Sequence, residues 1–314
     1  SANPPPDHLP PDDSASIRPP VAAPGIYPGW IMVAACFVLA FFAWGLGFYG
    51  HGFFIAALRA ERGWSTGLLS GAVASFWFVG VPSVLLIGRL LDRYGPRWIV
   101  LYGAVAMGGG GILVGQATEI WQIFVLFMIM GSAYPGLATA AISASLVPWF
   151  DRRLGLALGI SLSGASVGGV LMPPALVRLS SAYGFDAALA GVGAAILLLI
   201  IPLALFVLRR PHGAAETAGE RKPPVHHDSG GVQPGMRYFL SLGAFWRIAV
   251  ASALALAAQV GFLMHQLPAL EGALGLSAAA FAVSVAAGSA VIGRFILGGL
   301  SVRFSLSFLQ PVAI

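Results

Sequence analysis

Long uncharged runs separated by short charged turns constrain the fold of this chain more than any other feature. Residues 68–87 and 98–115 contain no Asp, Glu, Lys or Arg, whereas the turn from Gly88 to Arg97 contains three arginines and one aspartate. An apolar helix of about twenty residues, rising about 1.5 Å per residue, crosses a hydrocarbon layer about 30 Å thick. The charged turn then lies outside the lipid, because charges inside it are costly.

The composition agrees with a polytopic membrane protein. The chain is 58% apolar and only 9% charged, whereas soluble domains carry roughly a quarter charged residues. Its net charge of +5 comes from basic loops. The sequence has no basic face with interleaved aromatic residues, so it does not predict nucleic-acid binding. Cys36 is the single cysteine, and His226-His227 lacks helical spacing or nearby thiols. We therefore predict no disulfide, no metal and no cofactor.

The pattern predicts four regions. Residues 1–28 contain nine prolines and are expected to form a disordered cytoplasmic tail. Residues 29–208 form a six-helix N-terminal bundle, 209–244 a cytoplasmic linker, and 245–314 a partial C-terminal bundle with helices seven, eight and the start of nine. The chain lacks an initial Met and ends inside an apolar run, so we expect a C-terminally incomplete sequence. The predicted spans are Trp30–Ile55, Gly67–Ile87, Trp98–Gly115, Ile120–Val147, Gly155–Leu179, Ala187–Leu208, Phe245–Leu267 and Ser277–Leu300.

The distribution of Lys and Arg predicts the orientation. With the N-terminus inside, the cytoplasmic tail, loops and linker hold thirteen of the 17 basic residues, and the outer loops hold Arg59, Arg62 and Arg178. Arg294 remains within a span. Because cytoplasmic loops carry the excess of positive charge, we predict a multi-pass protein of the inner (cytoplasmic) membrane with a cytoplasmic N-terminus.

The charged turn also carries a resemblance to a known family. Gly88-x-Leu90-x-Asp92-Arg93-x-Gly95-x-Arg97 resembles the signature between the second and third helices of the major facilitator superfamily. This resemblance implies an all-α polytopic membrane fold and secondary transport by alternating access. It also implies that Gly88, Asp92, Arg93, Gly95 and Arg97 form a conformational latch.

An internal repeat at an offset of about 210 residues supports the resemblance. Gly88-x-Leu90-x-x-Arg93 recurs as Gly298-x-Leu300-x-x-Arg303, which assigns Gly298 and Arg303 to a second latch that lacks the aspartate. The run from Gly47 to His51 recurs from Gly261 to His265. A parallel repeat of this kind places the substrate between two halves, near the middle of the bilayer.

Arg294 is the first candidate for substrate binding. It lies one turn before Gly298 in the eighth predicted span, where a charge is costly and usually faces a partner or a wet cavity; the alternative is an arginine that extends to the cytoplasmic face. The run from Gly293 to Gly298 is similar to the monocarboxylate transporter and oxalate–formate antiporter branch. In that branch this arginine binds the substrate carboxylate. Ala290 stands where animal monocarboxylate carriers have an aspartate, which weakens the case for proton coupling there.

His51 and His265 are further candidates, because they occupy matching positions in the repeated motif of spans one and seven. An imidazole can donate to a carboxylate and titrates near neutral pH; the alternative is a pair of histidines near the membrane surface. Tyr49 and Tyr134 are weaker candidates, since a tyrosine in a membrane helix is more often packed. No Asp or Glu lies within a predicted span.

These features predict a protein that transports small organic anions by proton symport or anion exchange. Monocarboxylates are the substrates expected first. The protein would act as a monomer in the lipid bilayer, with the anion and protons as its partners, and it would not be an enzyme. The alternatives are efflux of hydrophobic or amphipathic compounds and a non-transporting remnant or sensor. Efflux is favoured by the small-residue run of span five, although those residues also permit close packing. The run consists of Gly159, Gly164, Gly168, Gly169 and Pro173-Pro174.

Overall fold

All regular secondary structure in the described part of the chain is helical. The computed structural model describes residues 28–150, 153–208 and 241–301, with all their side chains except those of residue 244 and residues 290–301. Seven helices in these ranges are long and apolar enough to cross a membrane. The prediction of an all-α polytopic membrane fold is confirmed. The predicted tail (1–28), except Pro28, and most of the predicted linker (209–244) lie outside the described residues.

Several membrane crossings are built from more than one helical segment. Short π-helical segments, Gly45–Tyr49, Val105–Gly109 and Leu203–Val207, interrupt or extend crossings one, three and six, and a 3-10 turn, Tyr134–Gly136, interrupts crossing four. The α-helices are α1 (Pro28–Trp44), α2 (His51–Arg62), α3 (Thr66–Tyr94), α4 (Pro96–Ala104), α5 (Gly110–Gln116), α6 (Ile120–Ala133), α7 (Thr139–Leu146), α8 (Leu154–Tyr183), α9 (Phe185–Pro202), α10 (Gly243–Leu274) and α11 (Leu276–Ser301).

The ends of these helices follow local sequence signals. The side chain of Ser65 caps α3 by accepting from the backbone N–H of Leu68 at 3.4 Å. Glu119 and Gln122 form a capping box at the start of α6. Gly63 ends α2 and Gly275 ends α10, each with a positive φ that a residue with a Cβ rarely adopts. The sequence therefore sets the boundaries of the crossings locally.

Glycines hold the N-terminal helices in close contact. On α8, a Cβ at Gly164 or Gly168 would collide with the backbone of Phe37 or Phe41 on α1. On α6, a Cβ at Gly131 would collide with the backbone of Phe76 on α3. The pairs α1–α8 and α3–α6 thus pack backbone against backbone. The small residues of the fifth crossing serve this packing at Gly164 and Gly168.

Helices α10 and α11 pack against the N-terminal bundle. Helix α10 lies against α2, where a Cβ on Gly52 would come 3.2 Å from the carbonyl oxygen of Met264. Helix α11 lies along α8, and a Cβ on Gly288 would come 3.8 Å from Val170. Helices α2 and α8 of the first half therefore contact helices α10 and α11 of the second.

Candidate functional site

An uncharged cavity of about 230 Å³ lies where crossings one, two and four meet. No lining residue carries a charge, and three of the residues are large aromatic side chains. A cavity of this composition suits an apolar ring better than an anion. The lining residues are Trp44, Trp77, Gly80, Val81, Val84, Tyr134, Pro135, Ala138, Thr139 and Ala140.

The aromatic wall of the cavity is centred on Tyr134, which begins the 3-10 turn in crossing four. Its ring centroid lies 5.7 Å from that of Trp77 and 6.0 Å from that of Trp44, with interplanar angles of 70° and 63°. These edge-to-face contacts are favourable because the positive edge of one ring meets the negative face of the next. Pro135 follows directly and interrupts the α-helical hydrogen bonding. The turn thereby presents the tyrosine to both tryptophans.

Gly47 determines where the Tyr134 ring can lie. A Cβ at Gly47 would stand 2.9 Å from Cδ2 of Tyr134 and 2.8 Å from Cε of Met107. Gly47 belongs to the π-helical segment Gly45–Tyr49. A larger residue there would displace the tyrosine from the cavity wall.

Tyr49 lies on the same segment, two residues after the Gly47 that faces the Tyr134 ring. Its ring packs on α8, where a Cβ at Gly169 would come 2.6 Å from Cε2 of the tyrosine. The structure therefore brings two of the predicted binding residues, Tyr49 and Tyr134, together.

His51 lies behind this aromatic wall in an almost fully buried position. Its ring centroid is 4.8 Å from that of Phe76, 5.8 Å from Phe127 and 5.9 Å from Trp77. The backbone of Phe48 interacts with the imidazole, yet Nδ1 makes no hydrogen bond to any described residue. His51 therefore contacts the cavity through Trp77, with an unsatisfied polar atom behind it.

His265 occupies a different environment, because its side chain is exposed on α10. His51 lies twelve residues before the capping Gly63, whereas His265 lies ten residues before the capping Gly275. Two residues correspond to about 200° around a helix. Measured from these caps, the two histidines are two positions out of register, and their shared role in binding stays a prediction.

The remaining predicted residues are only partly described. Arg294 and Gly298 lie in α11, but their side chains are outside the described residues, and Arg303 lies outside them altogether. Their roles stay predictions. Within the described ranges, no three His, Cys, Asp or Glu side chains come together as metal ligands would.

The predicted latch turn links α3 to α4. Gly95 ends α3, its N–H bonding to the carbonyl of Leu91 at 2.9 Å, and Pro96 starts α4. Gly88 has open space around it. The guanidinium of Arg93 lies 5.3 Å from the Tyr94 ring centroid, and that of Arg97 lies 5.4 Å from the Trp98 ring centroid. Asp92 is exposed and forms no ion pair with a described residue.

Sequence reasoning missed the two tryptophans of the cavity. Trp44 and Trp77 were indistinguishable from the other tryptophans of the chain, which number eight in total. Their position in the interior of an apolar run was the available signal, since tryptophans in membrane helices favour the interface.

Comparison with known sequences agrees with this architecture. The sequence profile of the Major Facilitator Superfamily matches residues 16–314. The chain belongs to the Major Facilitator Superfamily. This confirms the superfamily that the charged turn and its repeat indicated.

The chain is similar to three named fungal members of the superfamily. Agnestins efflux protein AgnL12 of Paecilomyces divaricatus is 33% identical over 158 residues, which are 50% of this chain and 35% of that protein. Aspyridones efflux protein apdF of Emericella nidulans is 34% identical over 128 residues, 40% of this chain and 26% of that protein. MFS-type transporter pytF of Aspergillus terreus is 28% identical over 196 residues, 59% and 63% of the two chains. The chain spans less than two thirds of each relative.

The names of these relatives do not specifically support the predicted monocarboxylate branch. The first two are named efflux proteins, and none of the three is named a monocarboxylate carrier. The superfamily assignment stands, while the monocarboxylate branch stays a prediction.

Proposed function

We propose that the protein is a secondary transporter that exports uncharged, hydrophobic compounds carrying an aromatic or other planar ring. The observation that carries this proposal is the cavity of Trp44, Trp77 and Tyr134, because all of its lining residues are uncharged. A carboxylate placed there would lose its hydration without a cationic partner in the described lining, and that loss is costly. A neutral ring would gain edge-to-face contacts with three aromatic side chains.

The size of the cavity fits part of such a compound. Binding sites for drug-sized molecules measure about 300–1,000 Å³, and this cavity measures about 230 Å³. It would hold one or two fused rings, while the rest of the molecule contacts the second half across the substrate path. Each aromatic contact adds about 0.5–1.5 kcal/mol beyond simple burial, so the wall has enough contacts to select planar substrates.

The relatives support export as the direction. Two of the similar proteins are named efflux proteins, and we extend that direction to this chain as part of the proposal. Tyr49, Tyr134 and His51 remain our candidate binding residues, with His51 acting through Trp77. His265, exposed on α10 among the described residues, stays a further candidate.

The organic-anion hypothesis remains the second candidate, and one observation favours it. Arg294 belongs to α11, and α11 packs along α8 of the first half. An arginine on that helix would be near the boundary between the two halves, where substrates bind in this fold. A carboxylate held by Arg294 would then be transported in place of a neutral ring.

A transport assay with two substrates separates these candidates. The full gene product is reconstituted into liposomes, and movement of a neutral polycyclic fluorophore is compared with that of radiolabelled lactate. Trp77→Ala removes one of the three aromatic side chains of the cavity and is expected to lower fluorophore transport about twofold to tenfold, since one aromatic contact contributes about 0.5–1.5 kcal/mol. The matched control is Trp121→Ala, because Trp121 is exposed and lies outside this cavity.

The outcomes distinguish export of neutral rings from transport of organic anions and test the role of the cavity. Fluorophore transport that falls in Trp77→Ala and persists in Trp121→Ala supports the proposal. Lactate transport that is abolished by Arg294→Ala and unaffected by Trp77→Ala supports the anion hypothesis. Fluorophore transport that is equal in wild type and Trp77→Ala contradicts a role for this cavity.

A further inference from the structure

An ion pair joins the two halves at the ends of α2 and α10. Nη2 of Arg59 lies 3.7 Å from Oε2 of Glu271, and the side chains are 50% and 24% exposed. That oxygen has no hydrogen-bond partner among the described residues, so the attraction is electrostatic. The pair lies at the opposite end of the membrane crossings from the charged turn between α3 and α4.

The two residues are equivalent positions of the internal repeat. The N–H of Gly63 bonds to the carbonyl oxygen of Arg59, and the N–H of Gly275 bonds to that of Glu271. Both glycines have a positive φ, of 70° and 76°. Each charged residue therefore lies four positions before the glycine that ends its helix. Residues related by the repeat face each other where the halves meet, so opposite charges at this position favour closure and like charges would oppose it.

A dry contact lies beneath the ion pair. A Cβ at Gly52 of α2 would come 3.2 Å from the carbonyl oxygen of Met264 and 3.4 Å from Cβ of Leu267 on α10. Leu267 is 2% exposed. The two helices thus approach closely for about two turns below Arg59, and water does not reach the Leu267 side chain in this arrangement.

Arg62 lies at the same end of α2 and attaches that end to the N-terminal half. Its Nη2 donates to the carbonyl oxygen of Gly115 at 3.0 Å and lies 3.6 Å from Oδ1 of Asp186. Both partners belong to the N-terminal half. If the halves separated here, α2 would keep the contacts of Arg62 and lose its contacts with α10, including those of Arg59 and Gly52.

We propose that the Arg59–Glu271 pair is a gate that holds the two halves together at this membrane face and breaks once in each transport cycle. In the predicted orientation this is the outer face, so the described arrangement is closed to the outside. Arg62 acts as the fixed point on which α2 stays attached to its own half when the gate opens. The gate concerns the movement of the halves and is independent of which compound is carried.

Thiol accessibility tests the gate without any substrate. The full gene product is prepared with all of its cysteines, including the buried Cys36, replaced by Ala, and Leu267→Cys is introduced beneath the ion pair. Open membrane fragments are treated with a water-soluble maleimide, which reaches both faces, and the labelling rate is measured. Glu271→Gln and Arg59→Gln are each expected to raise this rate at least about threefold, because loss of a partly exposed ion pair favours the open state by a factor of this order.

Two further variants make the test specific. Glu61→Gln removes a carboxylate from the same helix end, where the side chain is exposed, and should leave the rate unchanged. The exchanged pair Arg59→Glu with Glu271→Arg restores opposite charges and should return the rate to within about twofold of the starting protein.

Equal labelling in Glu271→Gln, Arg59→Gln and Glu61→Gln would overturn the gate, as would an exchanged pair that labels as fast as the single variants. Folding is checked by size-exclusion chromatography, and either single variant suffices if the other fails to give a monodisperse peak. Because no substrate is present, a failed gate leaves the proposed function open, and a failed transport assay leaves the gate open.

Discussion

The N-terminal bundle and helix α10 are equally apolar but differently buried. In the crossing Pro28–Tyr49, 61% of the most apolar window is buried, whereas in Phe245–Leu274 none of it is. Their mean hydropathies, 2.3 and 1.8, are similar. Hydropathy therefore identifies a membrane crossing without telling which of its faces contact other helices, because lipid and protein interiors are both apolar.

The atoms around the glycines show the same difference in burial between the bundle and α10. Gly131, Gly164 and Gly168 of the bundle each face the backbone of a neighbouring helix, while Gly261 and Gly272 of α10 have open space around them. In lipid, where hydrophobic burial between helices contributes little, close backbone approach is a main source of packing. Among the described residues, these bundle glycines make close contacts and those of α10 do not; the rest of the predicted C-terminal bundle lies outside the described residues.

Replacing one glycine by alanine in the bundle and one in α10 should give the largest difference in stability between the two regions. Gly131→Ala places a Cβ against the buried backbone of Phe76, which cannot move aside as a side chain would, so we expect a loss of about 3 kcal/mol. Gly261→Ala meets no atom within 4 Å and should be neutral or gain up to about 1 kcal/mol from helix propensity. Melting temperatures in detergent, read by size-exclusion chromatography, measure both.

The expected difference in melting temperature between the two variants is about 5 °C or more. A Gly131→Ala protein that melts with the wild type would mean that α3 and α6 adjust freely. A Gly261→Ala protein that melts early would mean that α10 has a close neighbour at that position.

The sequence predicted the crossings and their ends for local reasons. Charged turns and capping residues such as Ser65, Gly63 and Gly95 act within a few positions, so their effect can be read without knowing the fold. The pairing of α1 with α8 could not be read in this way, because it depends on which glycines of two distant crossings face each other. The same limit applies to Trp44 and Trp77, which line the cavity only because α1 and α3 meet crossing four there.

The two histidines offer a second, smaller contrast between the regions. His51→Ala removes a buried ring that contacts Phe76, Trp77 and Phe127, although it also removes an unsatisfied Nδ1. The lost packing outweighs the relieved polar atom, so we expect a net loss of about 1–3 kcal/mol. His265→Ala alters an exposed side chain and should change stability by less than about 0.5 kcal/mol.

The same melting assay checks the histidine pair, and transport of the neutral fluorophore adds a second readout. If both variants melt alike, the aromatic enclosure of His51 contributes no stability. If His51→Ala melts early yet transports normally, His51 supports the fold and has no part in binding.

Two buried serines give the smallest and most specific contrast. Ser161 on α8 donates to the carbonyl oxygen of Val33 on α1 at 3.2 Å, whereas Ser284 on α11 donates to Ala280 of its own helix at 3.0 Å. Ser161→Ala removes a bond between helices and should cost about 0.6 kcal/mol. Ser284→Ala removes a bond that only competes with the helix's own acceptors and should cost almost nothing.

The serine comparison requires the difference between two matched variants, because each change alone lies near the precision of a melting curve. A lower melting temperature for Ser161→Ala alone would show that side-chain bonds join α1 to α8 in addition to the glycine contacts. Equal melting temperatures would mean that backbone packing at Gly164 and Gly168 is sufficient. In that case, the close packing of α1 against α8 would depend on the glycines, and substituting Gly164 or Gly168 would be the direct way to loosen it.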